Sequence, residues 1–351
     1  EKLRAGAFIA RPALDESGLH FARLGGDEFT VVLPDVDTAE AACVVAQRIQ
    51  ELLGRAVLIG EQEIAVTSSI GIALFPDDGD DAATLLKHAD TAMYYAKEQG
   101  RNNWQLYERT LTTRTTARLV LEGDIRKGLE RGEFRLFYQP QVRTSDGTIV
   151  GVEALIRWQH PQQGLVSPAL FIPVAEESGL IIPLGEWVLN AACSQVREWQ
   201  QRGVSVPRVA VNVSARQLGA PDFLDTVAAI IVAAGVAADR LELELTESIL
   251  MDPEAERIQG LFRLRAMGVH FSIDDFGTGY SSLSYIKRFP IGTLKIDQSF
   301  IHGLPQDADD AGITTAIISM AHGLDLDVIA EGVETREQLD FLQRAQCPKL
   351  Q

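Results

Sequence analysis

Acidic and amide side chains recur at the ends of short apolar runs in the second part of the chain, and each run has the composition of a β-strand. They are Glu153, Asn212, Glu244, Asp274, Asp275, Glu331 and Glu334, and Lys295 adds one amine. Carboxylate oxygens are the ligands that Mg²⁺ and Mn²⁺ prefer, whereas zinc prefers histidine and cysteine. Two such ions about 3.5–4 Å apart can stabilise the attacking and leaving oxygens of a phosphoryl displacement. The set therefore predicts a metal-dependent phosphodiester hydrolase.

Taken singly, these residues have ordinary explanations. Glu244 lies in an alternating strand, where a glutamate usually faces solvent. Asp274 and Asp275 stand close before Gly277, as in a common turn, and Lys295 alone would be a surface lysine. Adjacent residues on a strand point to opposite faces, so both aspartates can reach one site only if the chain is already turning. The recurrence of polar residues at successive strand ends favours one shared site.

The elements that must hold these residues are predicted from alternating strand-like and helix-like segments, a pattern typical of α/β architecture. Seven short runs are predicted as strands: 134–142, 149–158, 209–213, 241–245, 271–273, 293–296 and 328–330. In a (β/α)₈ barrel of the TIM type, polar residues at the carboxyl ends of the strands converge on one mouth. We expect such a barrel, with its closing strand missing because the sequence ends at Gln351.

Composition restricts the class of protein. The 351 residues are 46% hydrophobic and 23% charged, as in a globular protein large enough for two domains, and their net charge of −17 would repel a nucleic-acid polymer. No stretch has the features of a membrane helix or a secretory signal. Cys43, Cys193 and Cys347 are isolated, which favours a reducing compartment. We expect a cytoplasmic location, compatible with membrane tethering through segments outside this sequence.

The region from about residue 118 to the end resembles the EAL family of cyclic di-GMP phosphodiesterases. The resemblance rests on Glu153-Ala154-Leu155 and on the motifs Tyr138-Gln139-Pro140, Asn212-Val213-Ser214, Glu244-Leu245-Thr246-Glu247, Asp274-Asp275-Phe276-Gly277-Thr278-Gly279, Leu294-Lys295-Ile296-Asp297 and Glu331-Gly332-Val333-Glu334. It implies a barrel that hydrolyses cyclic di-GMP to linear pGpG with two Mg²⁺ or Mn²⁺ ions per site.

The same resemblance implies roles for individual residues. One cation would be held by Glu153, Asn212, Glu244 and Asp274, and the second by Asp274, Asp275 and Glu331. The catalytic residues would be Lys295, which orients or polarises the attacking water, Glu331, and Glu247, which holds the loop Asp275–Leu283 in a competent shape. The substrate-binding residues would be Gln139, Arg157 and Gln351, with Glu334 as a supporting acid beside Glu331.

A second resemblance lies nearer the amino terminus. Arg23-Leu24-Gly25-Gly26-Asp27-Glu28-Phe29 is typical of a tight hairpin turn between two strands, and alone it would indicate no more than that. Together with the segments Thr67–Ala73 and Ala89–Asn102, it is similar to the GGDEF family of diguanylate cyclases. The similarity implies a partial α/β nucleotidyl-cyclase-like domain over residues 1–107. Its nucleotide site would contain Gly25, Gly26, Asp27, Glu28, Lys97 and Arg101.

Parts of the cyclase pattern are missing from this sequence. The family places a metal-binding aspartate and the guanine-reading Asn and Asp upstream of the hairpin, where only 24 residues precede Gly25. Its product-inhibition positions fall on Glu16 and Leu19, which do not match. We therefore expect no cyclase activity from the sequence as given, with GTP as a candidate ligand.

Residues 108–132 are predicted as a helical linker, and residues 118–351 as the phosphodiesterase barrel. Three functions stay open: an active phosphodiesterase regulated by the GGDEF domain, a bifunctional cyclase and phosphodiesterase in the full-length protein, and a non-catalytic cyclic di-GMP receptor. The expected partners are cyclic di-GMP, a second copy in a homodimer and an upstream sensor domain in the full-length protein, but no nucleic-acid polymer.

Overall fold

A computed structural model of the chain describes residues 20–34, 36, 38–54, 57–59, 62–64, 66–204, 207–247, 249, 255–278 and 288–351. These residues divide into two compact units, Glu1–Val120 and Leu121–Gln351. No helix in this part of the chain has the length and apolar character to cross a membrane. The positions Glu16 and Leu19, and residues 279–283 of the loop that Glu247 is predicted to hold, lie outside the described residues.

The first unit contains the predicted hairpin and two longer helices. Its elements are β1 (His20–Gly25), β2 (Glu28–Val32), α1 (Ala39–Leu53), β3 (Val57–Ile59), β4 (Gln62–Ile64), β5 (Ile70–Ile72), α2 (Ala82–Glu98) and β6 (Trp104–Leu106). β5 and β6 are parallel, whereas β1 with β2 and β3 with β4 form antiparallel pairs. Helix α2 packs so closely on β5 that a Cβ added to Gly71 would lie 1.9 Å from the carbonyl oxygen of Ala89.

Helix α3 (Arg109–Arg131) crosses the division between the two units and occupies the segment that was predicted as a helical linker. Its carboxyl-terminal part buries Ile125 completely, in a cluster with Phe134, Trp158 and Phe171. The indole nitrogen of Trp158 donates a 3.0 Å hydrogen bond to Glu133, which satisfies the only polar group of that buried ring.

The second unit is a closed eight-stranded barrel, which confirms the predicted TIM-like fold. Its strands, in order around the barrel, are β7 (Phe134–Arg143), β8 (Ile149–His160), β10 (Val209–Val213), β11 (Leu241–Thr246), β12 (His270–Phe276), β13 (Thr293–Ile296), β14 (Asp327–Ala330) and β15 (Lys349–Leu350). A short strand, β9 (Gly164–Val166), pairs with the far end of β8. All neighbouring barrel strands are parallel except β7, which runs antiparallel to β8 and β15.

The prediction that the closing strand is missing was wrong. Lys349 and Leu350 form β15, which pairs in parallel with β14 and antiparallel with β7. A strand of two residues carries no periodic hydrophobic pattern, so the sequence alone gives no sign of it. Its conformation is fixed by the two strands on either side, and the barrel has no open edge at this point.

The outer layer of the barrel consists of helices between the strands. They are α4 (Pro168–Ser178), α5 (Ile181–Gln201), α6 (Ala215–Leu218), α7 (Phe223–Ala234), α8 (Ala255–Met267), α9 (Ser299–His302), α10 (Ala308–Gly323) and α11 (Arg336–Arg344). The strands bury apolar side chains such as Val209, Leu243, Phe271 and Leu294 with no exposed surface. Each such side chain contributes about 1.5–3 kcal/mol on burial, which fixes the strands that carry the polar residues of the mouth.

Candidate functional site

The polar residues predicted at the strand ends converge on the barrel mouth. Asn212 on β10 and Glu244 on β11 are direct partners across the parallel ladder, as are Thr246 on β11 and Asp274 on β12. Because parallel strands start at the same edge, their carboxyl ends carry these side chains to one place. Glu244 is only 1% exposed, so it is not the solvent-facing glutamate that the alternating strand would otherwise suggest.

Lys295 lies at the centre of the mouth with 1% of its surface exposed. Its ammonium nitrogen is 3.1 Å from Glu153, 2.8 Å from Glu244, 3.0 Å from Asp274 and 2.6 Å from Glu331. Burial opposes the charge of Lys295, but the four carboxylates outweigh burial and raise its pKa well above the usual value. The surrounding carboxylates thus favour the charged ammonium of Lys295, which is a hydrogen-bond donor to the mouth.

One ammonium does not balance four carboxylates in a buried space. Burial raises the pKa of Glu244 well above the usual value, and the neighbouring Glu153 and Asp274 add to that effect against the opposing charge of Lys295. Burial likewise raises the pKa of Glu331 to about 7. In this environment negative charge is costly until protons or further cations compensate it.

Glu153 accepts hydrogen bonds from three side chains. Its Oε1 accepts a 2.6 Å hydrogen bond from Asn212, and its Oε2 accepts one of 2.5 Å from Gln351 and one of 3.1 Å from Lys295. Burial opposes its ionisation, but the Lys295 charge and these hydrogen bonds prevail and hold the pKa of Glu153 below its usual value. Glu153 is thus held ionised and fixed in orientation.

The donor set of the mouth fits two divalent cations. Ligand oxygens of Glu153, Glu244 and Asp274 lie within 4.8 Å of one another, and so do those of Asp274, Asp275 and Glu331. The two groups share Asp274, and all their donors are hard oxygen ligands. The side chain of Glu244 is fully enclosed, yet its Oε1 atom has no hydrogen-bond partner. A cation would satisfy that oxygen, so the residues fit the predicted metal centre, whose individual ligand roles stay a prediction.

Asp275 reaches the mouth because the backbone of β12 turns there. Its φ angle is +52°, and the ladder between β12 and β13 shifts register between Ile273 and Phe276. Aspartate tolerates this left-handed conformation better than most residues. The resulting bulge lets Asp274 and Asp275 approach one site, which regular alternation would prevent.

Asp297 is a residue of the mouth that the predicted site does not include. Burial raises the pKa of Asp275 to about 6, and the charges of Asp274 and Asp297 add to the effect, with a hydrogen bond between Asp275 and Asp297. Asp297 follows the last residue of β13. The other acids were predicted because each is a polar residue at the end of an apolar strand. Asp297 has the same position and could have been predicted in the same way.

Glu247 holds the start of the loop that follows β12. Its Oε2 accepts a 3.2 Å hydrogen bond from the backbone N–H of Gly277. Gly277 has a φ of +103°, and a Cβ at this position would lie 2.9 Å from the ring of Phe300. Glycine is therefore needed both for the backbone conformation and for the close contact with α9.

The residues predicted to bind substrate surround the mouth. Gln139 on β7 is the ladder partner of Glu153, and the guanidinium of Arg157 lies 5.7 Å from the centre of the Phe137 ring. A cavity of about 400 Å³ has Glu334 and Gln351 in its wall, together with Pro140, Val142 and Leu350. Gln351 also reaches inward to Glu153, so it contacts a predicted metal ligand as well as the cavity.

Glu242 is a second buried glutamate of β11, and it lies nearer the amino-terminal end of the strand than Glu244 does. Glu242 precedes Glu244 by two residues and is 3% exposed. Its Oε2 accepts a 2.8 Å hydrogen bond from Arg208, which also approaches His270. Glu242 is compensated by this arginine and is a member of neither carboxylate group at the mouth.

The predicted nucleotide-site residues of the first unit are exposed. Gly26 adopts a φ of +54° in the two-residue turn between β1 and β2, where Arg23 Nε donates a 2.9 Å hydrogen bond to its carbonyl oxygen. The neighbouring Asp27 and Glu28 face solvent. Lys97 lies in the last turn of α2, and Arg101 has a φ of +57° in the turn after the helix. Among the described residues, no hydrogen bond or ion pair joins these two basic residues to the acids of the hairpin.

Two family models match the chain. Residues 122–351 match the model described as EAL domain, and residues 12–103 match the model described as diguanylate cyclase, GGDEF domain.

Curated relatives match almost the whole sequence. One is the bifunctional diguanylate cyclase/cyclic di-GMP phosphodiesterase MucR of Pseudomonas aeruginosa, which is 44% identical over 330 residues, covering 94% of this chain and 48% of the relative. The cyclic di-GMP phosphodiesterase PdeR of Escherichia coli is 39% identical, with 92% of this chain and 48% of the relative covered. The chain thus spans about half the length of these relatives.

Solved structures match the barrel. A phosphodiesterase structure of PaMucR in complex with c-di-GMP is 47% identical with a TM-score of 0.63, covering 66% of this chain and 94% of that one. A structure of the EAL enzyme Bd1971 in a cAMP-bound form is 34% identical with a TM-score of 0.65, covering 78% of this chain and 72% of that one.

Proposed function

We infer that this chain, which belongs to the EAL domain family and carries a diguanylate cyclase GGDEF domain before its barrel, hydrolyses cyclic di-GMP to linear pGpG. The observation that carries the proposal is the Lys295 ammonium among four carboxylates at the mouth, with the unsatisfied Oε1 of Glu244 buried beside it. Relatives named as cyclic di-GMP phosphodiesterases, and the complex of PaMucR with c-di-GMP, support this choice of substrate.

Two Mg²⁺ or Mn²⁺ ions are the proposed cofactors. Glu153, Asn212, Glu244 and Asp274 would hold one, and Asp274, Asp275 and Glu331 the other. When bound, the ions would lower the pKa of a water molecule and offset negative charge on the phosphate. The ions would also balance the negative charge of the buried carboxylates, which the single ammonium of Lys295 does not neutralise.

The side chains of the mouth would orient water and substrate. Lys295, fixed as a cation by its neighbours, would donate a hydrogen bond to the attacking water. The water oxygen would bond to phosphorus, and the bond from phosphorus to the 3′ oxygen would break. The attacking water would release one proton to solvent and the leaving oxygen would take one up, so the product has a free 3′ hydroxyl and a terminal 5′ phosphate. Glu331, 2.6 Å from the Lys295 ammonium, would be ionised when it holds the second cation.

The residues around the mouth would bind the dinucleotide. Arg157 has the planar guanidinium that pairs with a phosphate, and Gln139 presents an amide beside Glu153. Gln351, which reaches Glu153, and Glu334 would complete the substrate-binding set. Glu247 would keep the loop after β12 in place through the amide of Gly277.

The GGDEF domain is proposed to regulate the barrel. We assign it to residues 1–107, the helical linker to 108–132 and the barrel domain to 118–351. The match to the diguanylate cyclase model supports a nucleotide such as GTP as a ligand of this domain, and the name of the MucR relative makes cyclase activity of the full-length protein the second candidate. A homodimer, an upstream sensor domain and a cytoplasmic location complete the proposal.

Product analysis tests the function directly. The protein is incubated with cyclic di-GMP and Mg²⁺ or Mn²⁺, and separately with GTP, and the nucleotides are separated by chromatography. We expect linear pGpG from the wild type and almost none from Glu153→Ala. The control is Glu242→Gln, which changes a buried glutamate of the barrel outside the mouth. Binding of cyclic di-GMP without product would favour the receptor hypothesis over the hydrolase.

A further inference from the structure

Gln141 is a buried polar residue of the barrel that the proposed site does not use. It lies on β7 with 4% of its surface exposed, two residues after Gln139. Its ladder partner on β8 is Gly151, two residues before Glu153. A buried amide costs free energy unless its groups are hydrogen-bonded, so its partners indicate what it does.

The partner of Gln141 is the side chain that contacts Glu153. Gln141 Nε2 donates a 2.9 Å hydrogen bond to Gln351 Oε1, and Gln351 Nε2 donates one of 2.5 Å to Glu153 Oε2. The three side chains form a chain of hydrogen bonds from the closure of the barrel to the metal-binding mouth. Residues 141 and 351 are 210 positions apart, so only the pairing of β15 with β7 brings them together.

Gln141 supports the direction of this chain. A glutamine amide has a donor end and an acceptor end of nearly the same shape, and it can rotate to exchange them. The Glu153 carboxylate can only accept, so the nitrogen of Gln351 faces it, and Gln141 supplies the donor for the Gln351 oxygen at the other end. The opposite rotation would place the Gln351 oxygen against a carboxylate, where two acceptors repel each other.

Gly151 provides the space for the Gln141 amide. A Cβ added to Gly151 would lie 2.7 Å from Gln141 Oε1 and 3.5 Å from the backbone oxygen of Arg208. The close contact is with the flexible end of a side chain, whereas the backbone contact is an ordinary one. A methyl group at residue 151 would therefore displace the amide at little cost to the fold.

We propose that Gln141 is a positioning residue of the phosphodiesterase site, which fixes the amide of Gln351 so that it donates to Glu153 and holds that carboxylate in its metal-binding orientation. This inference rests on the proposed function for its two cations. Groups that hydrogen-bond to a metal ligand set its orientation, and their loss commonly weakens metal binding by about 10–100-fold.

The test measures Mn²⁺ affinity by titration calorimetry in the absence of substrate. Gln141→Leu is expected to weaken Mn²⁺ binding, by no more than the loss of about 10–100-fold that is typical when a group bonded to the ligand itself is removed. In Gln141→Met the side chain keeps about its length but has no donor, so the loss should be similar. Gly151→Ala should weaken binding through displacement of the amide. The matched control is Gln343→Leu, which removes a 3.0 Å hydrogen bond to the Thr144 carbonyl oxygen near the same closure.

A double-variant cycle separates positioning from general loss of stability. Gln141→Leu combined with Gln351→Leu should bind Mn²⁺ no more weakly than Gln351→Leu alone, because both changes interrupt one chain. In turnover, kcat should fall with KM nearly unchanged. Wild-type Mn²⁺ affinity in folded Gln141→Met or Gly151→Ala, or additive losses in the double variant, would overturn the proposal. Absence of pGpG from the wild type would instead contradict the hydrolase, since the Mn²⁺ titrations do not depend on turnover.

Discussion

The ammonium of Lys295 lies 2.8 Å from Oε2 of Glu244, and both side chains are enclosed at the centre of the barrel. A buried pair of this kind is stable only while the charges match. Three further carboxylates within salt-bridge distance of the same ammonium leave negative charge in excess. This relationship links the stability of the barrel mouth to the cations that it is proposed to bind.

Replacement of Lys295 by methionine tests that link. Removal of one member of a buried ion pair costs about 3–5 kcal/mol, so the free energy of unfolding should fall by about that amount in EDTA. The loss of unfolding free energy should be smaller in Mn²⁺, because bound cations replace the lost positive charge. The variant should not turn over substrate in either condition. Urea unfolding with and without Mn²⁺ measures this. Lys127→Met, which breaks an exposed pair with Asp124, is the control and should change the unfolding free energy by less than about 1 kcal/mol. Equal deficits in EDTA and Mn²⁺ would contradict the link.

Metal affinity should depend on pH near neutrality. Burial raises the pKa of Glu331 to about 7 and that of Asp275 to about 6 in the metal-free protein. Both carboxyls hold protons below those values, and a proton must leave before the oxygen can ligate a cation. Mn²⁺ affinity should therefore be highest above pH 7 and fall progressively as the pH is lowered through 7 and 6. Titration calorimetry in buffers of different ionisation enthalpy should also detect proton release. Affinity that is constant over this range would disagree with the raised pKa values.

The left-handed conformation of Asp275 predicts the effects of two substitutions. Asn tolerates a φ of +52° about as well as Asp, so Asp275→Asn should leave the unfolding free energy in EDTA nearly unchanged. Asp275→Val should cost about 1–3 kcal/mol, because a β-branched residue is strained there. Both variants should lose one of the two Mn²⁺ ions, which equilibrium dialysis would count. Retention of both ions in Asp275→Asn would remove this residue from the second ligand group.

The two-residue closing strand makes a measurable contribution to stability. Leu350 is 7% exposed and pairs with β14 and β7, so Leu350→Ala should lower the unfolding free energy by about 2–4 kcal/mol. Leu165→Ala is the matched control, since Leu165 is 59% exposed on β9 and should cost little. Urea unfolding compares the two variants. Equal stabilities would mean that β15 does not close the barrel in solution.

The sequence predicts the barrel and the members of its mouth, because polar residues at the ends of strands are read from a local pattern. Glu153, Glu244 and Asp274 were found in this way and lie together. The same pattern cannot reveal Leu350, whose strand exists only through its neighbours. It also cannot reveal that Gln141 contacts Gln351, since that pair forms only when the barrel closes. The positive φ of Asp275 is likewise set by tertiary structure, although Gly277 nearby indicated a turn.

The most direct measurement of the central claim is hydrolysis of cyclic di-GMP in ¹⁸O-labelled water with Mn²⁺, followed by mass spectrometry. If the mouth directs water to phosphorus, the wild type will yield linear pGpG with one ¹⁸O atom in its terminal phosphate, and Glu153→Ala will yield almost none. Cyclic di-GMP that is bound by the wild type but recovered intact and unlabelled would contradict the account.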